Sequence, residues 1–166
     1  MSEARRIRPA EPSDASRLCD IQMDAWRGEY PHDVDPEQWL NADGFDRAAR
    51  DANMERLMAA PETDAFLVAT RDDAVVGFIV LGHSRDEDRP GETELSALYF
   101  DPAEFGSGFA SELVDAALGA RPAYLWVAEL NRRARRFYEK LRFANDGTRR
   151  DSDTLFDQAE VRMARA

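Results

Sequence analysis

The sequence predicts a mixed α/β fold, a central sheet flanked by helices, and three observations carry that reading. Stretches of strand character alternate with stretches of helical periodicity, following two initial helices and a hairpin. Two neighbouring runs, DAFLVAT at 64–70 and VVGFIVLG at 75–82, are almost continuously apolar, as strands covered on both faces are. Residues 92–119, ETELSALYFDPAEFGSGFASELVDAALG, pass from a β-prone run through a glycine turn into an amphipathic helix. At 166 residues the whole chain is expected to form one domain, long enough to bury a core without staples.

Taken in order, Ile7 between Arg6 and Arg8 marks a short first strand, stopped by Pro9. Glu11-Pro12-Ser13-Asp14 is a helix start, with proline early and acid in the first turn, and Leu18, Ile21 and Ala25 share one face of the helix that follows. Its end carries Trp26, Tyr30 and Pro31; the two aromatics either line an acceptor pocket or cap the core. Residues 32–44 form a polar loop, with Asp33, Asp35, Glu37 and Asp43 as acids that would attract a cation, leading into a helix over 45–58.

The two apolar runs are joined by Arg71-Asp72-Asp73-Ala74, a hairpin by length and composition. Residues 83–91 make a charged, exposed loop, and neither His83 nor His32 is read as catalytic. The strand from Leu95 to Phe100 breaks at Asp101-Pro102, and Phe109, Leu113, Val114, Ala117 and Leu118 recur at helical spacing beyond Gly106 and Gly108. A strand at 123–127 precedes a helix at 131–143 with Ala134, Phe137, Tyr138 and Leu141 on one face. A strand then begins near Phe143, residues 149–153 are read as polar turn, and 160–164 close with a strand.

Composition excludes several function classes. The net charge of −11 would repel nucleic acid and anionic membranes. One lysine, Lys140, stands against twenty-one arginines. So acidic and lysine-poor a surface fits a salt-loving or high-GC host, or ordinary acidic solubility. The single cysteine, Cys19, allows neither an internal disulfide nor a CxxC metal or redox motif, and no metal is expected. With a polar N-terminus and no apolar run approaching a membrane span, a cytoplasmic protein is expected.

Glycines at the mouth of a helix let the backbone approach a ligand closely, and the unpaired N–H groups of a first helical turn attract anions such as phosphates. Many strand-to-helix turns carry glycine for geometry alone, so the second stretch decides. Phe105, Gly106, Ser107, Gly108, Phe109 and Ala110 fall on the coenzyme A loop Gln/Arg-x-x-Gly-x-Gly/Ala, while Asn131, Ala134, Phe137 and Tyr138 fall without a gap on Asn-x-x-Ala-x-x-Phe-Tyr. Leu98, Tyr99, Phe100 and Pro102 match the preceding strand and its proline. Together the two blocks resemble the GNAT superfamily of N-acetyltransferases.

There are three departures. Phe105 stands where that family usually has Gln or Arg, Ser107 where a basic residue is common, and Arg142 where glycine usually precedes the final Phe. Losing one charge-assisted contact costs about 1.5–3 kcal/mol, so coenzyme binding is expected to survive in weakened form on backbone donors. A non-glycine residue at 142 is expected to need a different backbone angle.

The resemblance implies a mostly antiparallel sheet that splays after strand four, with acetyl-coenzyme A as cosubstrate and its pantetheine arm on the main chain of Leu98, Tyr99 and Phe100. Its phosphates would meet residues 105–111, through Ser111, and Asn131 would hold both coenzyme and helix start. Tyr138 matches the general acid that protonates the departing thiolate. Glu94 on strand four is the candidate base for the amine, with burial expected to raise its pKa, or else a surface residue beside Glu92. Trp26 and Tyr30 are candidates for acceptor contacts. The partner implied is a small-molecule or peptide amine, and a homodimer is allowed. Two other readings stand beside the acetyltransferase: a non-catalytic acyl-coenzyme A binding module, and an acidic interaction protein using the scaffold without coenzyme.

Overall fold

The computed structural model describes residues 4–29, 46–151 and 159–166. Tyr30, His32 and the acids at 33–43 lie outside them.

The chain begins with β1 (Arg5–Pro9), which runs through Pro9 rather than stopping before it. A 3-10 turn at Pro12–Asp14 opens α1 (Ala15–Glu29), and Glu11 and Asp14 cap that turn reciprocally. Then come α2 (Arg47–Ala59), β2 (Thr63–Arg71) and β3 (Ala74–His83). The hairpin between β2 and β3 turns on Asp72 and Asp73, whose φ values of 49° and 68° are both left-handed. Two positive angles match the right-handed twist of the flanking strands, and Asp tolerates them better than most residues. The remaining elements are β4 (Thr93–Phe100), α3 (Phe109–Leu118), β5 (Ala123–Ala128), α4 (Arg132–Lys140), β6 (Ala144–Asp151) and β7 (Ala159–Arg165).

The seven strands form one sheet in the order β1-β2-β3-β4-β5-β7-β6, antiparallel throughout except for the parallel neighbours β4 and β5. Apolar runs covered on both faces are what the core shows. One cluster packs Leu81, Leu95 and Leu125 against Phe109, Leu113 and Leu118 of α3 and Tyr138 of α4. The other packs Val68, Phe78 and Val80 against Leu18 and Ile21 of α1 and Met54 of α2. Each such side chain, fully buried, contributes about 1.5–3 kcal/mol.

Two sequence expectations fail here. Residues 149–151 are strand, the end of β6, not turn. As an edge strand it pairs only with β7 and exposes most of its side chains, so it carries no apolar alternation to read. Arg142 keeps the left-handed angle, φ 69°, instead of adopting another. The N–H groups of Arg142 and Phe143 close the end of α4 onto Glu139 and Tyr138, at a strain of about 1 kcal/mol for a residue with a Cβ.

Candidate functional site

The site lies where β4 and β5 part. They pair at one position, Glu94 with Tyr124, while the other edge of β4 stays paired with β3 as far as Phe100. Beyond that point the free edge of β4, through Leu98, Tyr99 and Phe100, faces a cavity of about 310 Å³. Gly77 on β3 helps set this wall: a Cβ there would stand 2.5 Å from the Phe100 ring, so only glycine lets that ring lie flat across β3 and reach Phe109, 5.9 Å away.

The cavity's second wall is the turn into α3. Phe105, Gly106, Gly108, Ala110 and Ser111 line it. Gly106 and Gly108 have φ values of 79° and 83°, and a Cβ at either would meet nothing within 4 Å. Glycine is therefore required by backbone angle, not by crowding. The turn satisfies part of itself: Ser107 N–H donates to Glu104 O at 3.0 Å, Phe109 N–H to Ser107 Oγ at 3.2 Å, and the N–H groups of Ser111 and Glu112 to Gly108 O. The N–H groups of Gly106, Gly108 and Ala110 find no acceptor among the described residues. Gly106 and Gly108 are exposed and Ala110 is half-buried, so these three N–H groups, grouped at one helix mouth on one cavity, are open to an acceptor from outside the chain, such as an anion.

Charge around this mouth is arranged to the same end. Glu104, 7% exposed, would oppose an anion, but Arg71 grips it in two bonds of 2.6 and 2.7 Å. With Ser107 Oγ adding a third at 3.1 Å, its carboxyl is held below the usual range. Glu112 in the first turn of α3 is paired with Arg5 at 2.7 Å. Phe105 does not plug the helix mouth; it is 47% exposed, with the Arg133 guanidinium 3.8 Å above its ring.

The third wall is α4. Asn131 caps it, accepting from Ala134 N–H at 3.0 Å, as its sequence context predicts. The cap starts the helix in the phase that turns Ala134, Phe137 and Tyr138 to the cavity. Tyr138 is buried, with the rings of Phe137 and Phe143 edge-on at 5.2 and 5.8 Å.

Glu94 departs from both sequence expectations. It is no surface residue, being 2% exposed. Burial alone would raise its carboxyl, but the Arg85 guanidinium, at 2.5 and 2.9 Å, and the Tyr124 hydroxyl, at 3.2 Å, hold it below the usual carboxylate range. The pKa shift is opposite to the one expected, because a cation contact outweighs desolvation. Glu94 is also absent from the cavity lining.

Other predicted residues stand near the cavity without lining it. Trp26 donates from its indole to the Tyr99 hydroxyl at 3.2 Å and so braces the β4 wall from behind. The Phe109 side chain is fully buried in the core, Ser107 spends its hydroxyl within the turn, and Asn131 acts as the cap. Burial pushes the Cys19 thiol up to about 11, which removes it as a nucleophile. His83 is exposed beside Asp64 at 3.2 Å. Among the described residues there is no cluster of metal-ligating side chains, and no helix is long and apolar enough to cross a membrane.

Sequence reasoning missed Arg133 and Lys140, which both line the cavity. The signal was present: positions 133, 137 and 140 repeat at helical spacing, so the face that carries Phe137 carries these cations too.

Comparison with known proteins bears on the family and the fold. The family model described as "Acetyltransferase (GNAT) family" matches residues 15–143. An uncharacterized N-acetyltransferase of Mycobacterium tuberculosis is 32% identical over 143 residues, covering 82% of this chain and 87% of the relative. A probable N-acetyltransferase of the same organism is 27% identical, covering 86% and 81%. Among solved structures, PH1933 from Pyrococcus horikoshii superposes with a TM-score of 0.71 at 22% identity, covering 98% of each chain. The PaiA N-acetyltransferase from Thermoplasma acidophilum, in complex with coenzyme A, superposes with a TM-score of 0.65 at 20% identity, covering 96% of this chain and 98% of its own.

Proposed function

The chain belongs to the GNAT family of acetyltransferases, and from that premise we propose that it transfers an acetyl group from acetyl-coenzyme A to a primary amine by direct attack. The observation that carries the reading is the set of unaccepted N–H groups at Gly106, Gly108 and Ala110 on the cavity between β4 and α4. A pyrophosphate supplies the acceptor oxygens those donors lack. The free β4 edge supplies main-chain groups to the pantetheine arm much as a sheet edge receives a strand. The coenzyme A complex of the PaiA relative, on the same fold, is consistent with this fit.

When bound, the coenzyme contributes an activated acetyl thioester. The chain's own residues do the rest. Main-chain N–H groups of β4 at the acyl end polarise the carbonyl and favour the charge that develops on its oxygen. Tyr138, buried on the cavity wall, gives its hydroxyl proton to the departing sulfur. The amine must shed its own proton first, because an alkylammonium with a pKa near about 10.4 is almost wholly protonated at neutral pH. Glu94 is poorly matched to take it, since a base works best with a pKa near the working pH and Arg85 holds this carboxylate low. In this proposal Glu94 holds Arg85 and Tyr124 in place at the closed end of the gap, and the proton leaves through water.

Trp26, which fixes the Tyr99 hydroxyl, shapes the acceptor side of the cavity. Thiol release from acetyl-coenzyme A across a panel of primary amines tests the reading. Release that depends on an amine supports it. Coenzyme A binding by calorimetry without release for any amine would favour the acyl-coenzyme A binding module, and absence of binding would favour an interaction protein.

A further inference from the structure

We propose that the chain acetylates itself, and that Lys140 is the residue modified. The inference rests on the acetyl-coenzyme A reading above and adds an acceptor to it. Lys140 is the last residue of α4 and the sole lysine of the chain, against twenty-one arginines. An arginine stays charged and offers no nucleophilic lone pair, so Lys140 carries the only side-chain amine that can take an acetyl group. That amine belongs to the wall of the cavity assigned to the acetyl thioester, together with Leu98, Phe137 and Tyr138.

Placement favours the transfer. An α-helix rises about 1.5 Å per residue, so the Lys140 Cα lies about 3 Å along the axis from that of Tyr138, the proposed acid. Around the helix the two fall on either side of Phe137, and all three line the cavity. A nucleophile and the acid for its leaving group therefore enter one space from two directions. Lys140 is exposed, and among the described residues it makes no hydrogen bond or ion pair. No contact has to break before its flexible four-carbon stem carries the amine inward. Held beside a bound thioester, that amine has the effective concentration of an intramolecular reactant. The Lys140 nitrogen, once its ammonium proton has passed to water, attacks the carbonyl carbon: the C–N bond forms, the C–S bond breaks, and the surplus proton on nitrogen goes to water. The sulfur leaves with a proton from Tyr138, which recovers one from water, so the products are N-acetylated Lys140 and free coenzyme A.

The test is incubation of the full chain with acetyl-coenzyme A, followed by intact mass and peptide mapping. Acetyl should appear on Lys140, with a first-order rate constant that does not change when the chain is diluted. Excess coenzyme A, which fills the cavity without an acyl group, should slow the gain, and chain unfolded in urea should gain acetyl far more slowly. Lys140→Arg should lose the modification while melting as wild type does. Equal labelling of folded and urea-unfolded chain, a rate constant that rises with chain concentration, or acetyl confined to the terminal α-amine would overturn the inference. So would an unmodified Lys140 in a chain that binds acetyl-coenzyme A by calorimetry, a result that leaves the acetyltransferase reading intact. A wild-type chain that binds no acetyl-coenzyme A would take down both.

Discussion

The two ends of the gap between β4 and β5 are built on opposite rules. At the closed end the carboxylates of Glu94, Asp86, Asp88 and Asp146 are each paired with an arginine. Glu94 is held by Arg85 and Tyr124, and Arg162, its side chain 5% exposed, bonds Asp86, Asp88 and Asp146 at 2.7–2.8 Å. Trp126 donates to Asp86, and Arg89 reaches Asp146 at 2.9 Å, so the loop at 84–92 is strapped to β5, β6 and β7. At the open end, a few residues along the same strand, backbone donors are left over at Gly106, Gly108 and Ala110. The difference teaches where to look for chemistry. Buried side chains that bond one another serve as scaffold, while exposed main-chain donors at a helix mouth are open to a ligand.

That contrast can be broken in order of expected effect. Tyr138→Phe, at the open end, should lower turnover by about tenfold to ten-thousandfold through loss of general acid catalysis, with coenzyme A affinity nearly unchanged by calorimetry. Unaltered turnover would remove Tyr138 as the acid.

Arg162→Gln, at the closed end, should act on stability instead. Removing the buried guanidinium that Asp86 and Asp146 share costs about 3–5 kcal/mol. Scanning calorimetry should show it as a melting temperature lower by roughly 2–4 °C per kcal/mol. A change of a degree or less would mean that the strap carries no weight.

Acid should loosen the same end. Burial would raise the Asp146 carboxyl, but the Thr148 N–H and the Arg162 and Arg89 guanidinium groups outweigh it and pull the group from 3.8 to about 2. A carboxyl whose pKa is lower folded than unfolded binds fewer protons in the native state. Its contribution is therefore full above the unfolded value and is lost as pH falls from about 4 towards 2. Urea midpoints measured across that window should drop, and Asp146→Asn should flatten the drop. An unchanged slope in the variant would assign the acid sensitivity to other groups.

The smallest effect is expected at Gly108. With φ at 83° and open space where a Cβ would go, Gly108→Ala should cost stability only about 1–2 kcal/mol of backbone strain. It should also weaken coenzyme A binding by turning one donor out of line. Equal affinity in the variant would show that this N–H makes no contact.

What could be read from the sequence divides along the same line as the two ends. The open end was legible because its chemistry is local: the glycines, the strand before them, and the Asn131 cap with Tyr138 seven residues on all lie within single strand-turn-helix units. The closed end was not, because its chemistry is between elements. Glu94 alone suggests a raised pKa; the sign reverses only when Arg85 folds back onto it and Tyr124 arrives on the neighbouring strand. Arg133 was hidden for the same reason, since nothing near residue 105 announces that a guanidinium will lie on the phenyl ring. Strand β6 was misread because an exposed edge needs no alternation, and Arg142 because the closing bonds of α4 impose an angle that its residue type disfavours.

The central claim is that three main-chain amides receive the phosphates of the coenzyme, and amide NMR tests it residue by residue. On titrating the labelled chain with coenzyme A, the amide protons of Gly106, Gly108 and Ala110 should shift downfield and saturate together, while those of Ser107 and Phe109, already bonded within the turn, move less. Saturable binding seen elsewhere in the spectrum, with those three resonances unmoved, would contradict the account.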